Sequence, residues 1–365
     1  MTETLLQELN NSDIDWIIAT GKQQQISAET KLMSGGDILK NFYILLEGSA
    51  SVILTQEQDS PLTQAFATLE GKQASGLEVM RLSPGEVVGE NIFTELKSQA
   101  IAVETLEQCL VISLSLRELK TKILGDKGFA ARFYRSITIL YLNRLQLLLE
   151  RLGRRNFSRS QTVRDVLHIF SKLHDSDLDW AIANGTLKKI SAQTSLIRQG
   201  GPVDALYILL DGQMNIALES ERHNPLTNIF ATLEETKPAE KEIAKLNKGQ
   251  IIGETSCLDG RSSYATITAL EDSVLLALPR PLLIAKLQQD LGFAARFYSA
   301  IAALLADKLQ EIISRLSVGR RTYVRGKSLN EKIRYEDELD TDTLEQMSIA
   351  ATRFDWMLER LRADS

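Results

Sequence analysis

The stretch Gly249-Gln-Ile-Ile-Gly-Glu254-Thr-Ser-Cys-Leu-Asp-Gly-Arg-Ser-Ser-Tyr-Ala-Thr266 gathers the residues best spaced for chemistry. Gly249 breaks the chain ahead of Ile251 and Ile252, and Gly253 permits a tight turn. Glu254 opens a segment long enough for one helical turn, which Gly260 ends, and Ala265-Thr266-Ile267 reads as the start of a strand. The first N–H groups of a helix lack partners within it, so a short helix leaving a glycine turn suits an anion such as phosphate. Glu254 at that position is open to a simpler role, a carboxylate stabilised by the helix dipole.

Other chemistry is absent. Gly326-Lys-Ser328 ends like a phosphate-binding loop, but Arg321 stands where the earlier glycine is required. His168, His174 and His223 show no metal-like pairing, and Cys109 and Cys257 have no CxxC spacing, so no metal is expected. No nucleophile elbow, zincin helix or dinucleotide fingerprint occurs, which predicts no enzyme activity and no catalytic residue. Net charge −6 and a pI near 5.4 oppose DNA binding by bulk charge, and the acidic run Glu336-Asp-Glu-Leu-Asp340 would repel a phosphate backbone. Met1 to Glu8 does not read as a signal peptide, and no apolar run approaches the ~18 residues of a spanning helix. Two unpaired cysteines fit a reducing compartment, so a cytoplasmic protein that is not integral to a membrane is expected.

The elements that must position the turn are written twice. Ser12-Asp-Ile-Asp-Trp16 recurs as Ser176-Asp-Leu-Asp-Trp180, an offset of 164 residues. The same offset carries Tyr43-Ile-Leu-Leu-Glu-Gly48 onto Tyr207-Ile-Leu-Leu-Asp-Gly212, and Gly128-Phe-Ala-Ala-Arg-Phe-Tyr134 onto Gly292-Phe-Ala-Ala-Arg-Phe-Tyr298. Two copies at so long a period mean two domains, not a solenoid. Each copy reads as a short helix, an Asp-Trp helix, short strands punctuated by glycines, and a closing helix. Residues 55–80 and 219–244 read as polar insertions, either an ordered flap (Pro61-Leu-Thr, Phe66-Ala-Thr-Leu-Glu70 and their repeats) or a long hairpin.

In the first closing helix, Phe129, Phe133, Ile137, Leu140, Tyr141, Leu145, Leu148 and Leu152 recur at three- and four-residue steps, with further apolar residues around the cylinder. Such a helix must be covered on more than one side. The second carries Phe293, Phe297, Ile301, Leu305, Leu309, Ile312 and Leu316. Helices 129–152 and 293–316 are therefore expected to pack on each other or in a homo-oligomer. The arginines that follow (Arg151, Arg154, Arg155, Arg159; Arg315, Arg320, Arg321, Arg325) complement helix C-termini or meet an acidic partner. Thr343, with Gln346 three residues on, reads as the cap of a final helix over 343–361, its stripe Leu344, Met347, Ala351, Phe354, Leu358 and Leu361 packing on its own protein or docking on a partner.

The Gly253-Glu254 turn and the spaced glycines of residues 194–212 resemble the cyclic-nucleotide-binding β-roll modules of catabolite activators, cyclic-nucleotide-dependent kinases and gated channels. The resemblance implies an α+β fold of two tandem β-roll (jelly-roll) domains, each flanked by helices, plus a C-terminal helix. The expected divisions are 1–155, 156–319 and a C-terminal extension, 320–365. It further implies a ligand site of Gly253, Glu254, Thr255, Ser256, Ser262, Ser263, Ala265 and Thr266, with Glu254 on a ribose hydroxyl. In this family an arginine ten residues after the first glycine pairs with the cyclic phosphate; here that position is Ser263, and Arg261 lies two residues before it. Cyclic AMP or cyclic GMP would bind weakly, and there is no other cofactor. The first copy keeps Gly89 and Glu90, but Ser98 and Gln99 occupy the phosphate positions and Glu95 adds an anion, so its site is expected to be degenerate. No helix-turn-helix follows the second copy. Two such modules without a DNA reader resemble a cyanobacterial family linked to bacteriocin-type export, which implies a ligand sensor or adaptor tied to transport. A scaffold whose pockets bind no nucleotide is the alternative.

Overall fold

A computed structural model describes residues 4–34, 39–54, 77–90, 101–152, 165–219, 240–318 and 341–363. The chain divides into two compact units, residues 1–149 with 302–338, and residues 150–301 with 339–365.

In the first unit α1 (Thr4–Glu8) and α2 (Asn11–Thr20) precede eight strands: β1 (Lys22–Ile26), β2 (Lys31–Met33), β3 (Asn41–Glu47), β4 (Ala50–Leu54), β5 (Leu77–Leu82), β6 (Val87–Val88), β7 (Ile101–Thr105) and β8 (Cys109–Ser115). They form two four-stranded antiparallel sheets ordered β1-β8-β3-β6 and β2-β7-β4-β5. Apart from β4 and β5, which pair within one sheet, consecutive strands fall in different sheets, which is what makes a roll rather than a meander. α3 (Leu116–Gly125) and α4 (Lys127–Leu152) follow.

The second unit repeats this order. α5 (Asp165–Lys172) and α6 (Asp175–Asn184) lead into β9 (Thr186–Ile190), β10 (Ser195–Ile197), β11 (Ala205–Asp211), β12 (Met214–Glu219), β13 (Glu240–Leu246) and β14 (Ile251–Ile252). α7 (Glu254–Asp259), β15 (Thr266–Ala269), β16 (Ser273–Pro279), α8 (Arg280–Gln289), α9 (Leu291–Val318) and α10 (Thr341–Ala363) complete the chain. The sheets are β9-β16-β11-β14 and β10-β15-β12-β13, each strand displaced by eight from its counterpart. Even the register repeats, Tyr43 facing Ser113 and Tyr207 facing Ala277. The turn after β3 and after β11 needs glycine: Gly48 and Gly212 have φ of +85° and +90°, and a Cβ would meet backbone 2.8 Å and 2.7 Å away.

The two-roll α+β architecture thus follows the repeat, with two refinements. The supposed insertions are shorter than expected, because 77–82 and 240–246 are strands paired to β4 and β12. Residues 55–76 and 220–239, with the Pro-Leu-Thr and Phe-Ala-Thr-Leu-Glu repeats and His223, lie outside the described residues. So do Gly326-Lys-Ser328, the acidic run and the arginines at 154, 155, 159, 320, 321 and 325, as do the side chains of Arg151 and Arg315. α10 begins at Thr341, so Thr343 stands inside the first turn instead of capping it.

Both closing helices are buried within the single chain. α4 buries Phe129, Phe133, Ile137, Leu140, Tyr141, Leu142, Leu145 and Leu148, and α9 buries Phe293, Phe297, Ile301, Leu304, Leu305, Leu309 and Ile313. α10 seats Phe354 and Leu358 on its packed face, against α5 and α6. Among the described residues no helix is long and apolar enough to cross a membrane, and no group of three or more His, Cys, Asp or Glu residues is placed to hold a metal.

Candidate functional site

The same clamp seats the closing helix in each unit. Arg132 of α4 grips Asp13 of α2 through Nε and Nη2 (2.5 and 2.9 Å), and Arg296 of α9 grips Asp177 of α6 in the same way (2.8 and 2.8 Å). The carboxylates are buried, and a bidentate guanidinium pair fixes orientation as well as distance. Beside it, Lys122 donates to Asp126 and lies over the Trp16 and Phe129 rings; Lys286 does the same with Asp290, Trp180 and Phe293. Asp126 and Asp290 also accept the amides of Phe129 and Phe293 at 2.9 Å. The lysine bond first, then that amide, holds each carboxyl below the usual range. Both members of the Asp–Arg clamp sit inside repeated segments of the sequence, which was the signal for them.

The second unit carries the turn anticipated from sequence. Gly253 has φ +86°, and a Cβ there would press on Val203 and the Ala205 carbonyl at 2.9 and 3.1 Å. Glu254 then opens α7, 6% exposed, in contact with its surroundings. Arg280 Nε donates to the Cys257 carbonyl at 2.8 Å, closing the C-terminal end of this short helix. Burial pushes the Cys257 thiol up to about 11; Arg280 opposes the shift, and Asp204 and Glu254 add to it.

The remaining candidates divide into exposed and committed groups. Ser262 is exposed and Thr255 half-buried. Ser256 belongs to α7, but its side chain lies outside the described residues. Ser263 is buried, its hydroxyl donating to the Ala265 carbonyl (2.8 Å) and its amide to Gly201 (2.9 Å). Ala265 is buried beside it, and the Thr266 hydroxyl accepts the Gln199 amide at 3.1 Å. Arg261 folds back on Asp259, Nε to Oδ2 at 2.9 Å.

In the first unit Gly89 keeps its positive φ, +104°, and Glu90 is buried. Ser98, Gln99 and Glu95 lie outside the described residues. Glu90 is paired with Arg144 of α4 through Nη1. Arg144 Nη2 also donates to the Val87 carbonyl at 3.0 Å, and Nε lies 3.7 Å from Glu86. Burial pulls the Arg144 guanidinium down, but Glu90 and Glu86 outweigh it and leave it above its ordinary value. Beside this pair is a cavity of about 60 Å³, with Met33, Val52, Leu82, Val103 and Tyr141 among its apolar lining and Leu309 of α9 closing it within the same unit. A drug-sized ligand needs roughly 300–1,000 Å³. Sequence reasoning missed Arg144, a lone cation inside the apolar run from Ile139 to Leu149.

Residues 187–290 match the family model for the cyclic nucleotide-binding domain. That segment is the second roll, and the first has its sheet order. The chain is a tandem of two cyclic-nucleotide-binding-like rolls. Modules of this fold regulate and do not catalyse. Lysophospholipase NTE1 of Saccharomyces cerevisiae is 28% identical over 108 residues, 30% of this chain and 6% of that protein. The Eremothecium gossypii enzyme of the same name is 22% identical over 244 residues, 62% of this chain and 16% of that one. The chain thus spans a small part of these relatives' length. Among solved structures, the regulatory domain of Toxoplasma gondii PKA with cAMP aligns over 87% of this chain and 93% of its own, at 15% identity and a TM-score of 0.26. The fold assignment rests on strand order and the matched segment, not on that superposition.

Proposed function

We propose that the chain is a non-enzymatic regulatory protein in which the second roll senses a small anionic ligand of the cyclic-nucleotide class and the first roll is a locked structural partner. The observation that carries this reading is the Gly253 turn that opens α7 on Glu254, inside the segment that the family model matches. Arg144 pairs with Glu90 and ties it to α4 beside a small apolar cavity. The second roll retains the Gly253 turn, the capped α7 and the buried Glu254, within the segment that the family model matches. A ligand there would meet Glu254 on its hydroxyl side and the exposed Ser262 on its phosphate side.

The site residues, the domain divisions at 155 and 319, and a cytoplasmic location belong to this proposal. Most of the α4 and α9 stripes are buried within one chain, with Ile312 of α9 half-buried, so the proposal does not require a homo-oligomer through them. No described residue supports a tie to transport, so that is left aside. Calorimetric titration of the full chain with cyclic AMP and cyclic GMP tests the reading. Weak 1:1 binding that Glu254→Ala removes and Glu90→Gln leaves intact is expected; binding that survives Glu254→Ala would overturn it.

The scaffold reading is favoured by one observation. Ser263, standing where the family arginine belongs, turns its hydroxyl and amide into the protein. Absence of binding by any cyclic nucleotide would select it.

A further inference from the structure

Two helices converge on the second cassette: α5, which extends N-terminally past the equivalent of α1, and α10, which has no counterpart in the first unit's described residues. At its N-terminal end, α5 bonds to the strand that leads into the cassette: the Ile251 amide donates to Asp165 at 3.2 Å, and the Val166 amide to the Gly249 carbonyl at 2.9 Å. Asp165 and Val166 are buried, so water does not replace these bonds without opening the joint. Gly253 and Glu254 follow two and three residues after Ile251.

At its C-terminal end, α5 is capped by α10. Arg353 Nη1 donates to the carbonyls of Phe170 and Leu173 at 2.7 and 2.9 Å, and its Nε reaches Asp175 at 2.9 Å. These are the carbonyls that a helix terminus leaves without internal partners. Phe354 stacks edge-on against Phe170, ring centroids 6.0 Å apart, and both rings are buried. Phe354 also reaches the cassette lead directly, with Lys248 Nζ 6.0 Å from its ring centre. α10 therefore touches the residue before Gly249 and holds the helix that grips Gly249 and Ile251. In the first unit the position equivalent to Lys248 is Pro84, and the position equivalent to Asp165 is Met1.

We propose that α10 is a latch on the second cassette: seated, it holds α5 and the 247–254 segment in the binding-competent arrangement; released, it loosens that segment and weakens ligand binding. By linkage a ligand in the cassette would hold α10 in place to the same degree. The ligand half of this statement rests on the proposed function; the mechanical half does not.

Amide hydrogen exchange on the full chain without ligand separates the two. With Arg353→Ala, exchange at Val166, Ile251 and the α7 amides should quicken about tenfold, the scale of losing a charged hydrogen bond. Arg360→Ala, which removes an exposed pair with Asp179 and a contact with the Trp356 ring within α10, should leave them unchanged. Cassette amides that stay slow while α10 exchanges faster would overturn the latch. A wild-type measurement guards against an unfolded variant: in rising sub-denaturing urea, α10, Ile251 and Cys257 should merge into one opening unit. Opening of α10 by itself would overturn the proposal even if no nucleotide ever binds. If the amides respond as expected but titration shows no ligand, the latch stands and the sensing reading fails.

Discussion

The two rolls share strand order, register and the Asp–Arg clamp, but where Arg144 of the first closing helix meets Glu90, the second closing helix carries Lys308. Glu90 faces a buried arginine from its own closing helix, and Glu254 heads a short helix capped by Arg280. Duplication preserved what seats the closing helix and changed the cation at the position of Arg144. A framework contact serves folding in both copies, whereas a pocket is needed only where a ligand is read.

The largest effect should come from breaking the lock. Arg144→Ala leaves Glu90 buried without its partner, a change that typically costs about 3–5 kcal/mol. Urea unfolding should show a loss of that order, most of it recovered by Arg144→Met combined with Glu90→Leu. A loss below about 1 kcal/mol for Arg144→Ala alone would mean that water reaches Glu90.

The shared clamp sharpens the comparison from the other side. Asp13→Asn and Asp177→Asn should each destabilise their own unit by about 1.5–3 kcal/mol, the range for hydrogen bonds to charged groups. Similar losses in both mark a common framework; a loss in one unit alone would break the equivalence.

A smaller, pH-dependent effect follows from Asp126 and Asp290. Each carboxyl is depressed in the folded chain, so its stabilising effect is present above the unfolded value of about 3.9 and fades as pH falls toward the lower folded value. Asp126→Asn with Asp290→Asn should flatten the stability profile below about pH 4. Both groups are partly exposed, so the change should be modest and weaker at high salt. An unchanged acid limb would place the titrating groups elsewhere.

The smallest effect concerns the cysteines. Cys109 and Cys257 are buried, and burial first of all raises both thiols, so both should be nearly silent toward an aqueous disulfide reagent at pH 8. Prompt reaction of Cys257 would show that α7 opens.

Much of this was legible in the sequence because repetition doubles the signal. The tandem rolls, the glycine turns and the closing helices all lie in segments that recur at the same offset. Phe354 and Leu358 could be placed on the packed face of the tail from their helical spacing alone. The Glu90–Arg144 lock was not legible, because a cation among apolar residues does not say which carboxylate, 54 residues away, it will meet. The role of Ser263 also depended on geometry, since sequence shows an arginine missing but not which way the serine hydroxyl turns. Asp165 and Arg353 escaped for a similar reason. Each grips backbone groups, which leave no trace in residue type.

Restoring the missing charge tests the central claim most directly. In calorimetric titration with cyclic AMP, the Ser263→Arg chain should bind one nucleotide per chain, about ten- to a hundredfold more tightly than the parent, the effect of one charged hydrogen bond. Glu254→Ala in the same background should abolish that gain. Binding no tighter than the parent, or two nucleotides per chain, would contradict the assignment of sensing to the second roll and locking to the first.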